Sequence, residues 1–157
     1  MFDKNNVTTM AKREILFRGW NKKNKKWLYG YYCVNRGEHF IAPDEFVNPL
    51  ASYEDYVVDE DTIGQYTGMK DAKGVKIFEG DVVRFSYITD GIERIEIECL
   101  AKVVFKDGSF MIKCVKGHIH NSMQRALFAM DYFNIKVEVI GNVTDNPEMV
   151  KGGSNEA

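Results

Sequence analysis

A chain of 157 residues that is 45% hydrophobic and 28% charged has the balance of a folded globular protein, which excludes a disordered one. Its net charge of −2 excludes a surface that is basic throughout, so any contact with nucleic acid has to be local. No run approaches the ~20 apolar residues that cross a bilayer as a helix, and the polar start at residues 1–10 lacks the apolar core of a signal peptide.

Residues 1–11 show no apolar periodicity and read as a disordered leader. Ile15–Trp20 reads as a first strand and Trp27–Val34 as its return, around the polar loop Asn21–Lys26. That placement brings Trp20 and Trp27 together beside the loop, where an aromatic pair across the strands steadies it. Arg36-Gly37-Glu38 marks a second turn before a short strand at His39–Ile41. Pro43 and Pro49 then punctuate an irregular connection through Tyr53, and Tyr56–Val58 is a further short strand candidate. Asp71-Ala72-Lys73-Gly74 has the acceptor side chain and the exit glycine of a type I turn.

The strongest strand signal follows. Val82–Thr89 alternates, with Val83, Phe85 and Tyr87 on one face, and Asp90-Gly91 is a hairpin signal. Ile95, Ile97, Cys99, Ala101, Val103 and Phe105 then line one face of a long strand. Asp107-Gly108 turns the chain into Ser109–Val115, giving an antiparallel meander. Asn121–Phe133 is the helix candidate, capped by Ser122, with Met123, Leu127 and Met130 at helical spacing. Ile135–Ile140 reads as the last strand. The expected fold is mainly β, of the α+β type. An antiparallel N-terminal β-hairpin region spans residues 12–61, a small SH3-like C-terminal β-barrel with one helix spans residues 62–147, and residues 148–157 form a disordered tail.

Three clusters carry candidate chemistry. Lys22, Lys23, Lys25 and Lys26, flanked by Trp20 and Trp27, are the nucleic-acid candidate, with lysines for phosphates and an indole to stack on a base. The plainer reading is a solvated hairpin tip with both indoles turned inward, and nucleic acid is not the favoured partner. Cys114, His118 and His120 are zinc-compatible donors on one face of an unbroken strand, but Gly117 interrupts it and no fourth ligand is well spaced, so no metal is expected. Glu96 and Glu98 share a face as an acid/base pair does, although an amphipathic strand needs a polar face in any case. No Ser–His–Asp set, phosphate loop or dinucleotide fingerprint occurs, so neither an enzyme nor a cofactor is expected. Three unevenly spaced cysteines, Cys33, Cys99 and Cys114, without a CxxC pair, fit a reduced chain in the cytoplasm.

The run from Thr62 through Gly64, Gly68, Asp71, Gly74, Glu79, Gly80 and Asp81 to Val83 resembles the signature of the YopX protein family. Ile15–Trp20 and Ile140–Glu148 fit it in the same order, so the resemblance spans about residues 13–149. It implies a phage or prophage origin, a host-cytoplasmic location, a mainly-β fold with a C-terminal barrel, and assembly into a homo-oligomer. It brings no catalytic residue, substrate or cofactor. Physically, Gly68 and Gly74 suit turns that need positive φ. Glu79-Gly80-Asp81 opens a strand on a tight bend, with Asp81 as acceptor for backbone N–H groups. The expected function is a non-enzymatic accessory protein that binds a host or phage macromolecule and no membrane. The alternatives are a nucleic-acid-binding barrel using the lysine loop and, by analogy with the Gly-Asp entry alone, a barrel-fold ribonuclease.

Overall fold

The computed structural model describes residues 14–43, 52–88, 96–116, 124–127, 130 and 135–151. They form ten strands: β1 (Phe17–Asn21), β2 (Lys26–Asn35), β3 (Glu38–Ala42), β4 (Gly64–Lys70), β5 (Lys76–Phe78), β6 (Asp81–Ile88), β7 (Glu96–Lys106), β8 (Ser109–Lys116), β9 (Gln124–Ala126) and β10 (Val137–Asn142). Two five-stranded antiparallel sheets result, ordered β3-β2-β1-β4-β5 and β10-β6-β7-β8-β9. No pairing among the described residues closes either sheet into a barrel.

Turn chemistry explains the hairpins. Arg36 and Gly37 take φ of 51° and 82°, and Asp107 and Gly108 take 51° and 79°. Two successive positive φ values match the right-handed strand twist, which is why such pairs close tight hairpins. The first hairpin is tighter than its polar run implies, because β1 and β2 stay in register through Asn21↔Lys26. The fully buried Asn21 closes that turn by accepting the Asn24 N–H at 2.6 Å. Its amide also donates to the carbonyls of Glu54 and Val57, which holds the 52–59 segment against the hairpin.

β4 and β5 lie beyond residue 61, yet they extend the first sheet, with Arg18↔Gly64 and Phe17↔Gln65 in register. The expected line between an N-terminal region and a C-terminal unit is therefore crossed by strand pairing. β5 serves both sheets: Ile77 sits in the core of the second sheet, while Phe78 packs on Tyr29 and Tyr66. That core joins Val83 and Phe85 of β6, Cys99, Ala101 and Val103 of β7, and Ile112 and Cys114 of β8, as the period-2 pattern predicts. Phe105 departs from the pattern. It is 53% exposed and stacks edge-on with Phe110 at the hairpin end, where no second layer covers it among the described residues.

The helix expected at Asn121–Phe133 is only partly realised. Gln124–Ala126 form β9 and pair with Lys113–Met111 of β8, because sheet pairing of an otherwise bare edge outweighs helical periodicity. Leu127 and Met130 are helical and buried in the core as their spacing implies, and the remainder of that stretch lies outside the described residues.

Two sheet edges are covered by chain. The Tyr56–Val58 segment forms a single bridge, Phe40↔Val57, rather than a strand. It satisfies β3 through Ile41 N–H to Tyr56 O at 3.1 Å and Val58 N–H to His39 O at 2.9 Å. Asp71 covers β10, accepting the N–H groups of Val139, Lys73 and Val75 while the Ala72 N–H donates to Val137 O. Burial pushes the Asp71 carboxyl up, but these three N–H bonds outweigh it and hold the carboxyl below its ordinary value. A depressed carboxyl stabilises the fold fully above its unfolded value of about 3.9, and that contribution is lost as pH falls through the lower folded value. Asp71→Asn should cost about 1–3 kcal/mol at neutral pH, since an amide N–H then faces one of the three donors. Urea midpoints at pH 7 and below pH 4 should show the deficit shrinking in acid, and an equal deficit at both would remove this role.

Candidate binding surface

Arg18 organises the join between the sheets. It lies in β1 between Phe17 and Gly19, is only 6% exposed, and places Nη1 2.6 Å from Asp81 Oδ1 at the start of β6. Its Nη2 donates to Glu79 O at 3.1 Å, while its Nε finds no acceptor among the described residues. The guanidinium lies 4.9 Å from the Trp27 ring and 5.1 Å from the Phe78 ring, so aromatic faces supply part of the lost solvation. Asp81 accepts the Phe78 N–H at 2.7 Å with its other oxygen. Burial still pushes its carboxyl above the ordinary range, with Arg18 and the Phe78 amide pulling the other way. The bend that delivers Asp81 needs Gly80 at φ +83°, which L side chains rarely adopt. Gly68 and Gly74 also take positive φ. Glu79 lends its carbonyl to Arg18 and its N–H to Gln65 O. The signature from Thr62 to Val83 thus builds the junction of the two sheets.

The lysine loop is placed differently from a phosphate-binding tip. Trp20 and Trp27 pair across β1 and β2 with centroids 5.7 Å apart. Trp27 is committed, covering Arg18 and donating from Nε1 to Asp145 at 2.8 Å. Lys22 pairs with Asp59 at 2.6 Å, and Lys23 lies 3.1 Å from both Glu54 and Asp55. Asp55 is held down to about 2 by hydrogen bonds from Asn24, Lys23 and the Ser52 N–H. Only Lys25 and Lys26 extend from the loop without a carboxylate partner among the described residues. Lys22 and Lys23 also line a cleft of about 590 Å³ with Glu38, His39, Tyr53 and Glu60. There His39 contacts Tyr32 Oη at 2.7 Å and Glu60 at 3.5 Å, tying β2, β3 and residue 60 together.

Other candidates separate. Cys114 points into the core beside Cys99, whose thiol is pushed up to about 11 by burial and by Cys114 itself. His118 and His120 lie outside the described residues. Among the described residues no three His, Cys, Asp or Glu side chains gather in a way that could hold a metal. Glu96 and Glu98 line an open depression of about 550 Å³ with Arg84 and Glu138. Arg84 spans Glu138 at 2.9 Å and Glu98 at 3.7 Å, so its charge is shared between two carboxylates.

A different surface stands out. A groove of about 490 Å³ runs between the first sheet and β10, lined by Leu16, Tyr29, Val75, Lys76, Phe78 and Val139, with Arg18 and Asp81 also bordering it. Tyr29 and Val75 are about half exposed, as are Ile15, next to the lining Leu16, and Tyr31, two positions along β2 from Tyr29. The alternation Trp27, Tyr29, Tyr31 on one strand is the sequence signal for this face. The opposite wall comes from β5 and β10, which no local pattern links to β2.

An antiparallel protein of two open five-stranded sheets, joined by a buried Arg–Asp pair, is the class this fold defines. The chain belongs to the YopX protein family, whose pattern matches residues 16–151. No curated protein matches the sequence. Among solved structures, protein EF1440 from Enterococcus faecalis has a similar fold, with a TM-score of 0.52 and 22% identity over 89% of this chain and 100% of that one.

Removing one partner of a buried pair strands the other, so Arg18→Met should cost about 3 kcal/mol or more. The double variant Arg18→Met, Asp81→Asn should cost less than the two single changes summed, by more than about 1 kcal/mol, in denaturant unfolding. Strict additivity would show that the two side chains do not act together.

Proposed function

We propose that this is a non-enzymatic accessory protein of a phage or prophage, acting in the cytoplasm by binding another protein through the groove flanked by Tyr29 and Val75. The observation that carries this reading is a groove whose lining includes the half-exposed Tyr29 and Val75 beside Leu16, Phe78 and Val139. Tyrosine is enriched where proteins meet, because it offers a large apolar face at small entropic cost. A soluble protein gains nothing from leaving such a cluster in water. Family membership supports the phage assignment and names no activity.

The nucleic-acid reading is the runner-up, and the ion pairs of Lys22 and Lys23 weigh against it. A photo-crosslinking residue at position 31 should capture a discrete protein in cells carrying the phage, whether a host protein, a phage protein or a second copy of this chain. The same residue at position 105, on the exposed Phe of the other sheet, should not. Capture of nucleic acid from position 31, together with oligonucleotide affinity that collapses as salt rises, would replace this reading with its rival.

A further inference from the structure

We infer that Cys99 and Cys114 form a peroxide-sensitive latch, a thiol pair that closes into a disulfide across β7 and β8 and fastens the second sheet. It is independent of the groove and uses two nucleophilic side chains that the proposed binding leaves without a role.

The strands set the placement. Ala101 stands opposite Cys114 and Leu100 opposite Lys116, so Val115 is an extra residue in β8 at that point. Cys99 lies two positions from Ala101 and therefore shares the core-facing side with Cys114, one diagonal step away. An extra residue of this kind bends its strand and increases the local twist. The two sulfurs are in hydrogen-bond contact, with the Cys99 thiol donating to Cys114. Cys114 in turn donates to the Lys116 carbonyl, on the far side of the extra residue, at 3.5 Å. Both thiols are free, as is Cys33, which is exposed in the first sheet.

The two members are unequal. Cys114 is 6% exposed and Cys99 1%. The β8–β9 pairing ends at Lys113↔Gln124, next to Cys114, and β9 has three residues. So short an edge strand opens locally at small cost, and a peroxide is small enough to use that opening. The Cys114 sulfur takes one peroxide oxygen as the O–O bond breaks, which leaves a sulfenic acid and releases water with the thiol proton. Burial pushes the Cys99 thiol up to about 11, so it keeps its proton until the second step. Its sulfur then displaces the hydroxyl from Cys114. The S–S bond forms, the S–O bond breaks, and the Cys99 proton leaves with the hydroxyl as a second water. Two thiols thus give two electrons and two protons to one peroxide. The product ties β7 to β8 across the register shift.

The test uses the full chain as Cys33→Ser, a change at an exposed position that removes disulfides between molecules. Hydrogen peroxide should give a product lighter by two hydrogen atoms. Digestion without reductant should yield one fragment that joins the Cys99 and Cys114 peptides. The urea midpoint should rise by about 1 M, and dithiothreitol should return both mass and midpoint. Cys99→Ala in the same background should instead add oxygen at Cys114, with no rise in the midpoint. A product of the Cys33→Ser chain that is heavier by oxygen, or no reaction at all, would overturn the inference. A disulfide that leaves the midpoint unchanged or lowers it would overturn the latch as well. These outcomes are read on the Cys33→Ser chain alone, so they decide the matter even where Cys99→Ala does not fold.

Discussion

A guanidinium taken out of water has to be matched at close range, and the arrangement around Arg18 follows from that constraint. The charge is met by Asp81, the second nitrogen by the Glu79 carbonyl, and the faces by Trp27 and Phe78. The partners come from two stretches of chain, Trp27 and residues 78–81, so satisfying one side chain fixes β1 and β2 against the bend between β5 and β6. Apolar residues of the same volume would give comparable or greater stability, because a buried ion pair seldom recovers its desolvation cost. The pair confers a single arrangement of the two sheets. A slip of β1 by one residue would turn Arg18 to the opposite face, away from Asp81.

The same geometry explains why the groove is open. Phe78 has Arg18 above its ring and Tyr29 and Tyr66 beside it, so its position in β5 is held from three directions. Tyr29 and Val75 then stand about half exposed at the groove. Chain covers the sheets elsewhere: residues 56–58 take the edge of β3, and Asp71 with Ala72 takes the edge of β10. Neither β3 nor β10 is therefore left as a bare edge for a partner strand.

How far the structure could be read in advance depends on whether the determinant was local. The meander β6–β8 follows from period-2 alternation and Asp107-Gly108, and the Trp20–Trp27 pair follows from hairpin register. Leu127 and Met130 were legible as core by spacing, whereas Gln124–Ala126 were not legible as a strand, because their pairing depends on the free edge of β8. Arg18 reads as an ordinary polar position on an edge. Its burial depends on an aspartate that only the fold brings close. The lysine loop looks cationic along the chain, and the carboxylates that neutralise half of it arrive from residues 54–59. The groove was hidden for the same reason, since its walls belong to strands that no local pattern pairs.

The Arg18–Asp81 contact also bears on the order in which the chain assembles. The β1–β2–β3 and β7–β8 hairpins close over short loops with turns preset by positive φ, and such hairpins form within microseconds. Pairing β1 with β4 and bringing Arg18 to Asp81 requires closing a far longer loop, whose entropic cost must be met before the contact returns anything. Between those stages the hairpins exist with a charged arginine and a charged aspartate still hydrated and apart. The step that dehydrates them together closes a longer loop than any of these hairpins. A chain delayed there would expose the aromatic side of β2 before its neighbour arrives.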